Sequence, residues 1–264
     1  RLRSSGRHDA AFYAAMWARI KATGTWKGEV WNRRKNGDIY PESVTITAVR
    51  GADEAVTHYV ATMHDISERK AAEEQVHALA FYDALTLLPN RRLLQDRLQQ
   101  SMLSTMRSGH HGALLFIDLD KFKQLNDTLG HDYGDLLLQQ VAQRLKECVR
   151  QADTVARLGG DEFVVLLEEL NPDALVAQEE TIAVGQKILA SLNHPYDLNG
   201  QAHLSTPSIG ATLFCGLQYS HDELIKQADL AMYQAKGAGR NTLCFFDPAM
   251  LEEFSSRIVP LAER

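Results

Sequence analysis

Thr154-Val155-Ala156-Arg157-Leu158-Gly159-Gly160-Asp161-Glu162-Phe163-Val164-Val165-Leu166-Leu167 reads as two short apolar strands turning on a glycine pair. Thr154 to Arg157 and Phe163 to Leu167 are the strands, and Leu158 to Glu162 joins them as a hairpin. Consecutive glycines let the backbone approach a ligand with no Cβ in the way. Asp161 and Glu162 then place two carboxylates directly after them. Taken alone, Gly-Gly-Asp is a turn sequence and nothing more.

The flanking segments give the hairpin its setting. Gly112 to Ile117 is an apolar strand ending at Asp118, and Asp135 to Val149 is a helix whose buried face carries Leu137, Val141, Leu145 and Cys148. A helix around Glu180 to Leu192, a strand around His203 to Leu213 and a helix from His221 to Lys236 follow. Strand, helix, hairpin, helix, strand is the order of a ferredoxin-like split βαβ sandwich, so an α+β class is expected for residues 83–246.

The N-terminal part, residues 1–66, has a different character. Phe12, Met16, Trp17 and Ile20 lie at helical spacing within residues 9–21. Strands follow over Trp26 to Arg34 and over the alternating run Val44 to Val49, with Asn36-Gly37 between them as a two-residue hairpin turn. His58 to Met63 adds a third strand, and one helix plus three antiparallel strands is too small a set to close a core alone. Asp65 and Glu68 then read as the capping box of a connecting helix, residues 67–82, with Ile66, Arg69, Glu73, Val76 and Ala80 on one stripe.

Composition narrows the function. The chain has 264 residues, 28 Lys and Arg against 34 Asp and Glu, a net charge of -6, and so no electrostatic footprint for nucleic acid. Three cysteines, Cys148, Cys215 and Cys244, form neither a disulfide frame nor a zinc spacing, and a cytoplasmic location is expected. The first residue is not Met, which is compatible with a longer parent tethered to a membrane upstream.

A phosphate ligand on an acidic chain needs local cations or a metal. Asp118 ends a buried strand, where a carboxylate is costly unless it meets a cation, and antiparallel pairing with the hairpin is expected to set it beside Asp161. Two carboxylates with room for water and phosphate suit Mg²⁺. Lys236 and Arg240, four apart among small residues, suit a triphosphate tail. Asn126 and Asp135 flank the expected turn Gly130-His131-Asp132-Tyr133-Gly134, and a carboxylate with an amide can read guanine against adenine. Each feature alone has a plain reading as a turn residue or a helix-end charge.

Four ordered motifs together are more specific. Asp83-Ala84-Leu85-Thr86-Leu87-Leu88-Pro89-Asn90-Arg91-Arg92, the run Asp118 to Asp127, the Gly159 to Phe163 turn and Ala235 to Asn241 resemble the GGDEF domain of diguanylate cyclases. The resemblance implies condensation of two GTP into cyclic di-GMP with release of two pyrophosphates. It implies Mg²⁺ or Mn²⁺ on Asp118, the Leu119 carbonyl and Asp161, and phosphate contacts from the backbone of Phe122 and Lys123. Guanine would be read by Asn126 and Asp135, and the triphosphate held by Lys236 and Arg240. Glu162 would assist deprotonation of the 3′-hydroxyl or hold a second metal. Two half-sites must face each other, which implies a homodimer. Arg150-Gln151-Ala152-Asp153 matches the family's R-x-x-D inhibitory site for the product. The rival reading is a GGDEF module that senses GTP or cyclic di-GMP without turnover.

Gly24 to Glu29, Arg33 to Gly37 and His64 to Lys70 are similar to the C-terminal half of a PAS sensory domain running into its signalling helix. The family's earlier strands, which build most of a ligand cavity, are not in this chain, so no PAS cofactor is inferred. Residues 247–264 are expected as a tail, and Phe245 to Met250 resembles the junction leading into an EAL phosphodiesterase domain.

Overall fold

The computed structural model describes residues 4–251, and the expected tail beyond residue 251 lies outside them. The chain divides into two compact units, Arg1–Ala78 and Leu79–Arg264.

In the first unit, helix α1 (Ala10–Thr23) starts where the Asp9 side chain accepts from the Phe12 amide at 2.8 Å and stops at Gly24, φ 78°. Strands β1 (Thr25–Arg33), β2 (Ile39–Arg50) and β3 (Val56–Asp65) form an antiparallel sheet in that order. Met16 and Ile20 of α1 are buried, as are Val30, Tyr40 and Val44 of the sheet. The turn at Asn36-Gly37 is not the expected two-residue one. Arg34 N donates to Asp38 O at 2.8 Å and Gly37 N to Arg34 O at 3.0 Å, so three residues make the loop and only Gly37 takes positive φ. Asn36 avoids it because its side chain bonds Asp38 instead, at 2.6 and 3.1 Å.

Helix α2 (Ser67–Phe81) follows, and the expected capping box is replaced by a simpler arrangement. Asp65, still paired in β3, accepts from the Ser67 amide at 2.9 Å and hydroxyl at 2.6 Å. With Arg34 also bound to it, these bonds hold the Asp65 carboxyl down at about 2. Arg69 and Lys70 reach back to Glu29 at 2.8 and 2.7 Å, while Val76 and Leu79 stand exposed on α2.

The second unit is built on a five-stranded sheet in the order β10-β9-β4-β6-β5. In chain order its elements are α3 (Arg91–Ser108), β4 (His111–Leu119), α4 (Phe122–Leu129), α5 (His131–Cys148), β5 (Thr154–Gly159), β6 (Glu162–Leu170), α6 (Ala174–Leu192), β7 (Tyr196–Leu198), β8 (Gln201–His203), β9 (Pro207–Phe214), α7 (His221–Gly237) and β10 (Leu243–Phe245). The core βαββαβ order of the split sandwich is there, with β4 paired antiparallel to both β6 and β9. The motif analysis left α3, α4 and β10 unassigned.

Alternation along β4 explains its continuous apolar run. Leu115 and Ile117 join a core with Leu137, Val141, Ile188 and Leu192 of α5 and α6. Leu114 and Phe116 face the opposite core, with Leu94 and Leu98 of α3 and Leu224 and Met232 of α7. A strand covered on both faces needs no polar alternation. Helix α7 sits so close to β9 that a Cβ on Gly210 would lie 2.1 Å from Ala228 O and Met232 N. The expected single strand from His203 to Leu213 is broken at residues 204–206. Pro207, which has no N–H to give, opens β9, and the upstream part pairs with β7 instead.

Candidate functional site

The end of β4 meets the glycine hairpin. Register places Asp118 opposite Glu162 of β6 and Ser208 of β9, since the strand β6 begins at Glu162. Asp161 sits one residue outward, in the turn that Gly159 (φ 144°) and Gly160 (φ 53°) make possible. Its charge is nonetheless felt at Asp118. Burial pushes the Asp118 carboxyl up to about 6, the Lys236 hydrogen bond opposes that rise, and Asp161 and Asp120 add to it. Glu162 is raised too, by burial first and then by Asp229 and Asp161, against Arg91 and Lys236.

Negative charge therefore exceeds positive charge at this corner, and a cation already answers it. Lys236 Nζ lies 2.7 Å from Asp118 Oδ1, an ammonium standing where a metal ion would be drawn. The donors are hard oxygens, which suit Mg²⁺ or Mn²⁺ over softer ions. Among the described residues no group of three or more His, Cys, Asp or Glu stands together to hold a metal ion. Leu119, buried at the end of β4, pairs with Pro207 of β9.

Arg157, to which the motifs assigned no role, fixes the hairpin. Its Nε and Nη2 donate to Gly160 O at 3.0 and 2.7 Å, and its Nη1 reaches Asp83 Oδ1 at 2.9 Å. Burial alone would raise the Asp83 carboxyl, but bonds from Thr86 and Arg157 bring it below its ordinary value. Spacing could not reveal this contact, since 74 residues separate Arg157 from Asp83.

Phe122 and Lys123 open α4, where Lys121 adopts φ 62° and supplies no side-chain cap. The first helical amides thus remain for an anion. Beyond them Arg240, with φ 67° and its Nε 3.9 Å from Asp120 Oδ1, borders a cavity of about 720 Å³ that Lys121, Phe122, Leu125, Ser205 and Asn241 also line.

Asn126 and Asp135 come together differently from the expectation. The expected turn over residues 130–134 is confined to Gly130, φ 94°, and α5 is helical from His131. Gly134 thus lies in the first turn of α5, where a Cβ would come within 2.0 Å of Asn126 Oδ1. That oxygen is buried without a hydrogen-bond partner, while Asp135, the next residue, is exposed.

Arg150 and Asp153 lie apart from this cluster, in the turn after α5. Asp153 accepts from the Arg150 amide at 2.8 Å and the Glu168 amide at 3.2 Å, so both its oxygens brace backbone. Arg150 is exposed and, among the described residues, its guanidinium has no ion pair. A cavity of about 480 Å³ there is bordered by Arg97, Lys146, Arg150, Gln151 and Asp153.

Residues 80–242 match the model described as "Diguanylate cyclase, GGDEF domain", and residues 5–68 match a PAS domain model. The chain is 45% identical over 179 residues to the bifunctional diguanylate cyclase/cyclic di-GMP phosphodiesterase MucR of Pseudomonas aeruginosa, covering 68% of this chain and 25% of MucR. It is 38% identical over 178 residues to the diguanylate cyclase TpbB of the same species, covering 66% of this chain and 40% of TpbB. The chain thus spans about a quarter of MucR. Among solved structures, the GGDEF domain of Pseudomonas aeruginosa TpbB superposes with a TM-score of 0.61 at 34% identity, covering 66% of this chain and 99% of that one. The coiled coil and GGDEF domain of Caulobacter crescentus DgcB, in complex with c-di-GMP, gives 0.60 at 25% identity, covering 68% of this chain and 93% of that one. No helix among the described residues is long and apolar enough to cross a membrane. The matched span, more than half of the chain, makes it a member of the GGDEF diguanylate cyclase family, with a PAS-type segment preceding that domain.

Proposed function

We propose that the chain condenses two GTP into cyclic di-GMP and two pyrophosphates. The observation that carries this reading is the carboxylate corner of Asp118, Asp161 and Glu162, with Lys236 bound to Asp118 at 2.7 Å. Asp118, the Leu119 carbonyl and Asp161 would hold Mg²⁺ or Mn²⁺. Such an ion offsets the charge that develops on a transferring phosphoryl group.

The chain's own residues supply the rest. Lys236 and Arg240 bind the triphosphate, and the α4 amides of Phe122 and Lys123 cradle it. Asp135 accepts from guanine N1-H and the exocyclic amine, and Asn126, its Oδ1 turned inward, offers its NH₂ to guanine O6 or N7. Glu162, its carboxyl raised above the ordinary value, is suited to accept the 3′-hydroxyl proton. Each half-site holds one GTP, so an in-line attack between them requires two copies of the domain face to face. The PAS-type segment would govern that pairing through α2. Arg150, with its open guanidinium, would bind the product as an inhibitor, Asp153 holding the turn.

Purified chain incubated with GTP and Mg²⁺, assayed for pyrophosphate and cyclic di-GMP, tests the reading, with Asp161→Ala as control. GTP binding without either product would favour a sensing module instead. Arg150→Ala is expected to relieve product inhibition with the initial rate unchanged.

A further inference from the structure

Asp120 stands two residues beyond Asp118, yet its surroundings are of another kind. It is 8% exposed, and both carboxyl oxygens are engaged by protein. Ser208 Oγ donates to Oδ1 at 2.7 Å, and Thr206 Oγ1 donates to Oδ2 at 2.7 Å. Asn241 N donates to Oδ2 at 3.2 Å, and the Asp120 amide itself donates to Thr206 O at 2.8 Å. A carboxylate so occupied has little left for a metal ion, although Arg240 Nε lies 3.9 Å from Oδ1.

What these bonds hold is an unfavourable turn. Gly239, Arg240 and Asn241 have φ of 113°, 67° and 48° in succession, and two of the three carry a Cβ. Left-handed backbone at non-glycine residues is disfavoured and persists only where the surroundings fix it. Three anchors are visible. Arg240 N donates to Ala235 O at 3.1 Å, Ile209 N donates to Thr242 O at 2.9 Å, and between them Asn241 N is taken by Asp120. Asp120 is the one anchor that is a charged side chain, and it comes from the chain segment that also carries Asp118. It therefore ties the loop bearing Arg240 to the strand bearing the carboxylate corner.

We infer that Asp120 is a positioning residue: it fixes the Gly239–Asn241 turn, and through it the Arg240 guanidinium, for the triphosphate tail of the substrate. The inference rests on the proposed GTP site. Arg240 itself remains half exposed, with 52% of its side chain open and the guanidinium free to meet a ligand while its backbone is held.

Kinetics and binding with Asp120→Ala and Asp120→Asn test this. Asp120→Ala is expected to raise KM for GTP and weaken inorganic tripolyphosphate binding by about tenfold, the scale of one hydrogen bond to a charged group, with kcat at saturating GTP little changed. GMP affinity should stay at the wild-type value, and Asp120→Ala should add nothing to Arg240→Ala in a double-mutant cycle. Asn241→Gly, which tolerates positive φ, should recover part of the loss in Asp120→Ala. Should Asp120→Ala fail to fold, Asp120→Asn, which keeps the volume and one acceptor, should show an intermediate KM and the same coupling to Arg240. Wild-type KM and tripolyphosphate affinity in a folded Asp120→Asn would overturn the inference, as would equal loss of GMP binding or additivity with Arg240→Ala. A wild-type chain that binds GTP but makes no cyclic di-GMP defeats the proposed activity alone, and the affinity comparisons still decide Asp120. Failure to bind GTP defeats both.

Discussion

Strands β3 and β4 have similar lengths and opposite surroundings. Every residue of β3 is exposed, Val60 at 48% and Met63 at 47%, whereas every residue of β4 after His111 is buried. The first is the edge of a three-stranded sheet with one helix, the second the middle of five strands between two helical layers. The difference locates both stability and chemistry. An Asp118 carboxyl pushed up to about 6 can be tolerated only where a large apolar core offsets the cost, and the second unit has that core.

The largest effect expected is on chemistry without loss of fold. Asp118→Asn should lower cyclic di-GMP formation by on the order of 10³-fold, the scale of removing a group that organises developing charge. Its melting temperature should not fall, since a strained carboxyl is removed, and a clear drop would place Asp118 among the structural residues. Next in size, Gly210→Ala in β9 should destabilise the second unit by about 3 kcal/mol, because α7 cannot yield 2.1 Å contacts without moving, whereas Val60→Ala in β3 should change stability by less than about 0.5 kcal/mol. Equal losses in denaturant titration would erase the contrast between the two strands.

A smaller effect is set by pH. Asp118 has its folded value raised to about 6 from an ordinary 3.8, so the folded chain binds the extra proton between those limits. Its contribution to stability is present below pH 3.8 and is lost as pH rises through about 6. Binding of GTP with Mg²⁺ at the proposed site has the opposite slope and should weaken about fivefold from pH 6 to 5, as the site must release one proton. Calorimetry at the two pH values reads it, and Asp118→Asn should flatten the dependence. Smallest of all, Arg69→Ala should leave the melting temperature unchanged in calorimetry, as its partners Glu29 and Glu73 are exposed and solvent screens the pairs.

Much of the second unit was legible from sequence because each decisive segment carries its own signal. The glycine pair marks the hairpin, the apolar run marks β4, and Asp118 interrupts it near the C-terminal end of that central strand. Helix α3 carries a signal of its own, with Leu94, Leu98, Met102 and Thr105 at helical spacing on its buried face. Asn36-Gly37 and residues 130–134 misled for a shared reason. A glycine signals freedom, and whether it serves a turn, as at Gly37, or a close approach, as at Gly134, depends on a neighbour distant in sequence or on a side chain's choice of partner. The residues proposed to ligate metal, read the base and bind phosphate are named by type and order. Arg157 and Asp120 act through contacts 74 and 121 residues away, which no local pattern contains.

The bond between Lys236 and Asp118 means that the resting pocket brings its own counterion, tethered to α7. A bare divalent ion arriving there must evict the ammonium into water and gives it nothing in exchange. The same ion arriving on a polyphosphate delivers the displaced lysine a new anionic mate at once. At the proposed site, occupancy by cargo would thereby be favoured over idle loading with metal, a discrimination achieved by competition inside the protein and not by the shape of a cage.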